Sequence, residues 1–414
     1  MNQARTATAT LPRGVEPAAL EGLVAAAISQ KPVSLGRRRT DSPHEFYRYP
    51  ARFSPDFAKA AILAFTEPGD LVLDPFVGGG TTLVEAMRNN RLAVGADMNE
   101  LATFVSRVKT TVLNEVDLAL LGQWSNRLSD RLDLDRPIPP LDGWRERGYL
   151  KDIDGAATAG IRSLIALAIE SAGELPQEPQ QDFARCVVLR TAQWALDMRT
   201  EVPSDSEFSN AMVNHALSMV AAARLFTDEM GEGFIRPIVV DQRLPGLAAR
   251  IENWDPPRLI LTSPPYPGVY VIYHRWKLMG RREIPAAYWI ANRNDGLGMS
   301  AYTMNAKSGP TFDGYFDNLR AAYSDLRELA GPETLVVQMV GFNNLESQFD
   351  RYLETMAECG FEEVLAPELA TAEDGRLWRS VPGRRWWNTT TSLVEAAPQT
   401  AKEVVLVHKV VPNS

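Results

Sequence analysis

The stretch Leu261-Thr262-Ser263-Pro264-Pro265-Tyr266 closes a short apolar run that begins at Pro257. Two consecutive prolines remove two backbone donors and hold φ near roughly −65°, so neither a helix nor a central strand continues through them. The expected result is a stiff turn at the C-terminal edge of a strand, where open α/β sheets place their ligands. Such a turn aims the Ser263 hydroxyl, the Pro264 carbonyl and the Tyr266 ring into one pocket. That arrangement suits a planar base carrying an exocyclic amine. A second candidate is Asp74-Pro-Phe-Val-Gly-Gly-Gly-Thr-Thr82. Its glycines let a ligand approach the backbone, and the helix that starts at the threonines supplies N–H donors for a carboxylate. No Gly-Lys-Ser/Thr follows and the spacing is not a strict GxGxxG, so it is neither a Walker loop nor the usual dinucleotide fingerprint. Taken alone, it also reads as a plain strand–helix turn. Asp97, at the end of the next strand, sits where an acid typically binds ribose hydroxyls.

These residues need elements to hold them. From 69 to 97 the pattern runs strand, glycine-rich turn, helix, strand: a buried apolar run up to Asp74, a helix over 81–88, and a strand over 92–97. Helical spacing at 161–169, 183–196 and 211–226 predicts a mainly helical insertion over 113–234. The α/β pattern resumes with strands at 237–241, 259–261, 333–340, 361–364 and 403–409, with a helix at 347–359. Residues 267–312 have no clear period and read as loop-rich, near the site.

With 414 residues, 45% hydrophobic and 23% charged, the chain reads as an ordinary globular protein of two or three domains. Its two cysteines, Cys186 and Cys359, lie outside any CxxC or His/Cys cluster. Neither a disulfide framework nor a zinc site is supported, and both thiols read as packed. No apolar run reaches a membrane span, and the arm over 1–41 lacks a signal-peptide pattern, so a cytoplasmic protein is expected. A net charge of −9 means that nucleic-acid binding needs local basic patches. Two acid-free stretches qualify, 274–282 and 376–387. Arg275 and Lys277 in the first, and Arg376, Arg379, Arg384 and Arg385 in the second, are the DNA-contact candidates, with Trp378, Trp386 and Trp387 interleaved; a core aromatic cluster with snorkelling arginines is the plainer alternative. Tyr270, Tyr273 and His274 follow the proline turn and are candidates for the base pocket. His44, His215 and His408 read as structural.

Together these segments resemble the amino-group DNA methyltransferases, which use S-adenosylmethionine to methylate N4 of cytosine or N6 of adenine. The resemblance rests on residues 74–82 as cofactor loop, on Thr262-Ser-Pro-Pro-Tyr266 as catalytic motif, on Arg48-Tyr-Pro-Ala-Arg-Phe53 as upstream motif, and on Val240-Asp241-Gln-Arg243. It covers roughly 44–110 and 236–410. It implies a Rossmann-like class I sheet of seven strands, the last antiparallel. It implies cofactor contacts from Pro50, Arg52, Phe53, Asp74, Phe76, Gly78, Gly80, Thr81, Thr82, Asp97 and Asp241, and catalysis at Ser263, Pro264, Pro265 and Tyr266. The Ser263 hydroxyl and Pro264 carbonyl would accept the amine's N–H groups while Tyr266 stacks on the flipped base. Serine ahead of the prolines tilts the choice toward cytosine N4. A ring-carbon enzyme needs a thiolate nucleophile, and neither cysteine sits in its Pro-Cys context. Double-stranded DNA is the expected partner, with any nuclease of a restriction or defence system on another chain. RNA or protein amide methylation, and an inactive cofactor- or DNA-binding subunit, are the alternatives. The insertion departs from the family's usual layout by interrupting the cofactor half, and it reads either as a target-recognition lobe or as a structural, partner-binding one.

Overall fold

The computed structural model describes residues 15–29, 42–49, 53–241, 247, 249, 254–268, 275–279, 282–296, 302–305, 312–381 and 401–412. Pro50, Arg52, Tyr270, Tyr273, His274, Arg384, Arg385, Trp386 and Trp387 lie outside them, as does nearly all of the 1–41 arm apart from α1. The first segments are α1 (Pro17–Ile28), α2 (Pro55–Phe65), β1 (Leu71–Asp74), α3 (Thr81–Arg88), β2 (Leu92–Asp97) and α4 (Glu100–Thr110). Five helices follow: α5 (Glu115–Arg131), α6 (Asp142–Glu146), α7 (Ala159–Gly173), α8 (Glu178–Leu196) and α9 (Asp205–Met230). Then come β3 (Ile238–Asp241), β4 (Leu259–Thr262), β5 (Trp276–Leu278), β6 (Arg282–Ile284), α10 (Ala286–Ala291), α11 (Asp313–Leu329), β7 (Leu335–Gly341), α12 (Leu345–Glu358), β8 (Phe361–Glu363), β9 (Leu377–Val381) and β10 (Ala401–Val410).

The main sheet runs β3-β2-β1-β4-β7-β10-β8, and β9 also pairs with β10. The first five strands are mutually parallel, while β10 is antiparallel to β7, β8 and β9. This is the Rossmann-like class I arrangement, with its order reversing between β1 and β4, where such sheets bind ligands. β1 lies between β2 and β4 and all four of its residues are buried, as its unbroken apolar run requires of a strand covered on both faces. One core lies on the α1–α2 face with Phe57, Val72 and Leu261, and another on the α11–α12 face with Leu73, Ile260 and Tyr323.

The sheet has eight strands where seven were expected. The extra one is β9, which crosses the first half of β10 with Glu403 opposite Arg379. It falls in the Arg/Trp-rich stretch read as a DNA-facing loop; its composition hides a strand because the acids that neutralise its arginines are distant in sequence. The 267–312 stretch is also more ordered than expected, with the β5–β6 ribbon and the fully buried helix α10. Trp276 donates from Nε1 to the Tyr47 hydroxyl at 3.1 Å, and α10 packs on α8. The core under α5–α9 therefore runs without a break into residues 46–49 and 276–291. Among the described residues, no helix is long and apolar enough to cross a membrane.

Candidate active site

The cofactor loop leaves β1 at Asp74 and enters α3 through Gly80, whose φ of 74° suits a residue without a Cβ. Its conformation is held from two sides. The Ser106 hydroxyl donates to the Gly78 carbonyl and the Lys109 ammonium to the Gly79 carbonyl, each at 3.0 Å. On the other side a Cβ at Gly79 would lie 2.7 Å from Tyr49 Cβ. The glycines thus make room for Tyr49 of the upstream motif, a reason for their presence beyond ligand approach. Gly95 does the same for the loop's return, since a Cβ there would meet Val77 Cγ2 at 2.6 Å.

Asp74 is buried, and its carboxylate accepts from the Thr82 hydroxyl (2.6 Å), the Thr262 hydroxyl (2.7 Å) and the Phe76 amide (3.2 Å). Burial pushes its carboxyl up to about 6 in spite of these bonds. Asp74 and Thr82, expected to touch cofactor, bond to each other, and with Thr262 they pin β1, α3 and β4 together. Asp97 is half-buried and accepts from the Gly78 amide (3.0 Å) and the Asn99 amide (2.9 Å). Burial raises it to about 6 as well. These bonds fix its carboxylate at the C-terminal edge of β2. Asp241, its register partner on β3, is exposed and held by the Thr103 hydroxyl and the Arg107 guanidinium. Phe76 is half-buried, and Phe53 is a core residue, edge-on to Phe57 at 5.4 Å between centroids.

The catalytic turn is braced in turn. Ser263 is half-buried, with its Oγ 3.1 Å from both the Tyr266 hydroxyl and the Met339 carbonyl. The Tyr315 hydroxyl donates to the Pro265 carbonyl at 2.7 Å. Tyr266 does not offer the open face that stacking on a base requires: it is 5% exposed, and its ring edge crosses Gly341, where a Cβ would lie 2.9 Å away. Its hydroxyl donates to Glu403 Oε1 on β10 at 3.2 Å. The structure gives this tyrosine a polar anchor that sequence reading missed, because Glu403 is 137 residues away.

Of the four basic candidates among the described residues, three are neutralised. Arg379 donates from Nε to Glu403 Oε2 at 2.8 Å, and Arg376 grips Glu363 with Nε at 2.7 Å and a second nitrogen at 2.8 Å. Arg275 pairs with Asp295 at 3.1 Å. All three were expected to face DNA; each acid partner comes from outside the acid-free stretch that suggested the role. Lys277 is half-buried on β5, and its backbone amide donates to Asp197 at 3.1 Å. Lys109 and Ser106 escaped the sequence reading, although Ala102, Val105 and Lys109 share one face of α4, a spacing that marks a buried lysine.

A sheet of this topology with a glycine-rich turn after β1 and an acid after β2 defines a class I methyltransferase-like fold. Within it, residues 31–103 match the family model for DNA methylases of the N6/N4 type. Over short segments the chain is also similar to three curated enzymes. It is 30% identical over 73 residues to the type II methyltransferase M.MjaII of Methanocaldococcus jannaschii, covering 18% of this chain and 14% of that protein. It is 47% identical over 47 residues to M.XycI of Xanthomonas campestris pv. cyanopsidis (11% and 16%), and 43% over 56 residues to M2.DpnII of Streptococcus pneumoniae (14% and 21%). The matched segments span about a fifth or less of those relatives' lengths. A solved rRNA methyltransferase, aviRa from Streptomyces viridochromogenes, aligns over 92% of this chain and 96% of its own with a TM-score of 0.29 and 9% identity, too slight a likeness to bear on function.

The resemblance implies S-adenosylmethionine as methyl donor. The site fits such a group: the Thr81 hydroxyl, at the first turn of α3, is buried with no hydrogen-bond partner among the described residues. It stands beside backbone amides suited to a carboxylate.

Proposed function

We propose that this chain transfers a methyl group from S-adenosylmethionine to the exocyclic amine of a base in double-stranded DNA, at N4 of cytosine in preference to N6 of adenine. The observation that carries this reading is the joining of the two motifs: the Asp74 carboxylate, at the root of the cofactor loop, accepts from Thr262, the residue before Ser263. Thr81 and the first amides of α3 would hold the methionine carboxylate, and Asp97 the ribose. Bound S-adenosylmethionine supplies an electrophilic methyl carbon on a sulfonium.

An amine conjugated to a base is a poor nucleophile, because its lone pair is delocalised into the ring. Ser263 counters this. Its own proton is directed to the Tyr266 hydroxyl or the Met339 carbonyl, leaving oxygen lone pairs for an amine N–H. Together with the Pro264 carbonyl it would favour a pyramidal nitrogen. Positioning and fixed dipoles then supply most of the rate, with no covalent intermediate. The 113–234 segment serves in this reading as a target-recognition or partner lobe; it steadies the stretch after the catalytic turn, since Met198 donates its amide to the Lys277 carbonyl at 3.0 Å.

The test is to incubate the chain with labelled S-adenosylmethionine and unmodified DNA, then separate the nucleosides. Label in N4-methylcytosine is expected, and label in N6-methyladenine would reassign the base. Label in RNA or in a protein amide would move the substrate class, and no transfer would overturn the reading. Ser263→Ala is expected to abolish transfer while sparing cofactor binding.

A further inference from the structure

Ser263, Tyr266 and Glu403 lie in a single file from the catalytic turn into the sheet. The Ser263 hydroxyl lies 3.1 Å from the Tyr266 hydroxyl, with the Met339 carbonyl as its other acceptor at the same distance, and Tyr266 donates to Glu403 Oε1 at 3.2 Å. Glu403 is 1% exposed, and its other oxygen accepts from Arg379 at 2.8 Å. Three strands conspire in this arrangement. Glu403 on β10 is in register with Gly341 on β7, and Gly341 lacks the Cβ that would block the Tyr266 ring from crossing to it. A buried carboxylate with one oxygen on an arginine and the other on a tyrosine is costly to assemble, because desolvation must be offset by every one of those bonds. Packing alone does not require it.

We propose that Ser263, Tyr266 and Glu403 form a proton relay that accepts the proton released when the target amine is methylated. The proposal rests on the methyl-transfer reading above. The amine nitrogen forms its bond to the methyl carbon as the C–S electron pair leaves with sulfur, and the nitrogen then carries one proton too many. That proton passes to Ser263 Oγ, the serine's own proton to Tyr266 Oη, and the tyrosine's own proton to Glu403 Oε1. The positive charge of the sulfonium and the negative charge of Glu403 disappear together, so the net charge of the site does not change. Once product leaves, the relay runs backward and returns the proton to water. Arg379 acts through Glu403 as a positioning residue, holding the carboxylate in line.

Two variants test it. Glu403→Gln keeps the size of the side chain and a partner for Tyr266 but removes the acceptor; Tyr266→Phe keeps the ring, adds no charge and breaks the file. Each is expected to slow single-turnover methyl transfer by about 100-fold or more, the range of a lost acid–base partner, with unchanged dissociation constants for S-adenosylmethionine and DNA. The double variant is expected to be no slower than either single one. The solvent deuterium isotope effect on the transfer step is expected to fall in both. In the unliganded protein, the 13C shift of the Tyr266 Cζ carbon is expected to move on Glu403→Gln, reporting the hydrogen bond apart from activity. If Glu403→Gln does not fold, Tyr266→Phe decides alone. Transfer at the parent rate by a folded variant, or losses that multiply in the double variant, would overturn the relay while leaving the methyltransferase reading intact. Absence of transfer by the parent chain on any substrate would remove that reading and the relay with it.

Discussion

The Thr262 hydroxyl donates to Asp74 at 2.7 Å, a bond that spans 188 residues of sequence and joins the end of β4 to the end of β1. It places the proline turn beside the glycine-rich turn at the point where strand order reverses. Thr262 and Asp74 are both buried, so the bond is shielded from water.

Thr262→Val therefore tests whether the two motifs act as a unit. Valine fills the same space but leaves one Asp74 oxygen with a single donor, the Phe76 amide. Stability is expected to fall by about 1–3 kcal/mol, the cost of a partly unsatisfied buried acceptor. Methyl transfer is expected to slow by more than cofactor affinity weakens, because the displaced group is the residue before Ser263. Thermal unfolding and single-turnover transfer check the two halves of this expectation.

Asp74 also sets a pH dependence of unusual sign. Its folded carboxyl is raised to about 6 from an ordinary 3.8, chiefly by burial. The folded state then holds a proton that the unfolded state has already lost. Its stabilising contribution is complete below about pH 4 and disappears as pH rises through about 6. A shift of this size corresponds to roughly 3 kcal/mol across that window. His408 works the other way: burial lowers its folded value to about 3, so its contribution is present above its ordinary 6.5 and is lost as pH falls. In urea titrations, Asp74→Asn is expected to gain stability relative to the parent chain between pH 4 and 6. A constant difference across those pH values would show that Asp74 is not perturbed.

The contrast between these residues and the missed ones explains what the sequence could disclose. β1, α3, β2 and the proline turn are local: an apolar run, glycines, threonines at a helix start and two prolines specify them within a few residues. The positions of Asp97 at the end of β2 and of Ser263 just after β4 followed from that grammar. The Ser263–Tyr266–Glu403 file did not, because its anchor arrives from β10 through sheet register. The same long-range pairing misled the reading of the arginines. Arg376 and Arg379 stand in an acid-free stretch, yet β8 and β10 supply Glu363 and Glu403. Tyr266 looked like a stacking platform only until Gly341 gave its ring a place to be buried.

Gly341→Ala isolates that burial from any change in charge. The added carbon would meet the Tyr266 ring at 2.9 Å and Glu403 Cγ at 3.3 Å, inside a packed sheet. Overpacking of this kind is expected to cost about 1–3 kcal/mol and to slow transfer by displacing Tyr266. Gly122→Ala is the matched control. It lies within α5 with nothing inside 4 Å of the new carbon, and it is expected to stabilise the helix by up to about 1 kcal/mol without changing transfer. Melting curves of the two variants are expected to shift in opposite directions.

The cysteines give the last test, since they separate amine methylation from ring-carbon methylation. A ring-carbon mechanism needs an accessible thiolate that adds to the base. Cys186 is buried on α8, and burial pushes its thiol up to about 12. Cys359 is buried after α12, its thiol also raised by burial, with the Ser324 hydroxyl 3.8 Å from its sulfur. Neither sulfur is a competent nucleophile near neutral pH. Replacing both with alanine is expected to lower the melting temperature through the small cavities left behind, while the rate of transfer by the folded protein stays unchanged. In the parent chain, both thiols are expected to react with a disulfide reagent only as fast as the protein opens. Loss of transfer in the folded double variant would show that a thiol takes part in the chemistry, and it would remove Ser263 from the centre of the reaction.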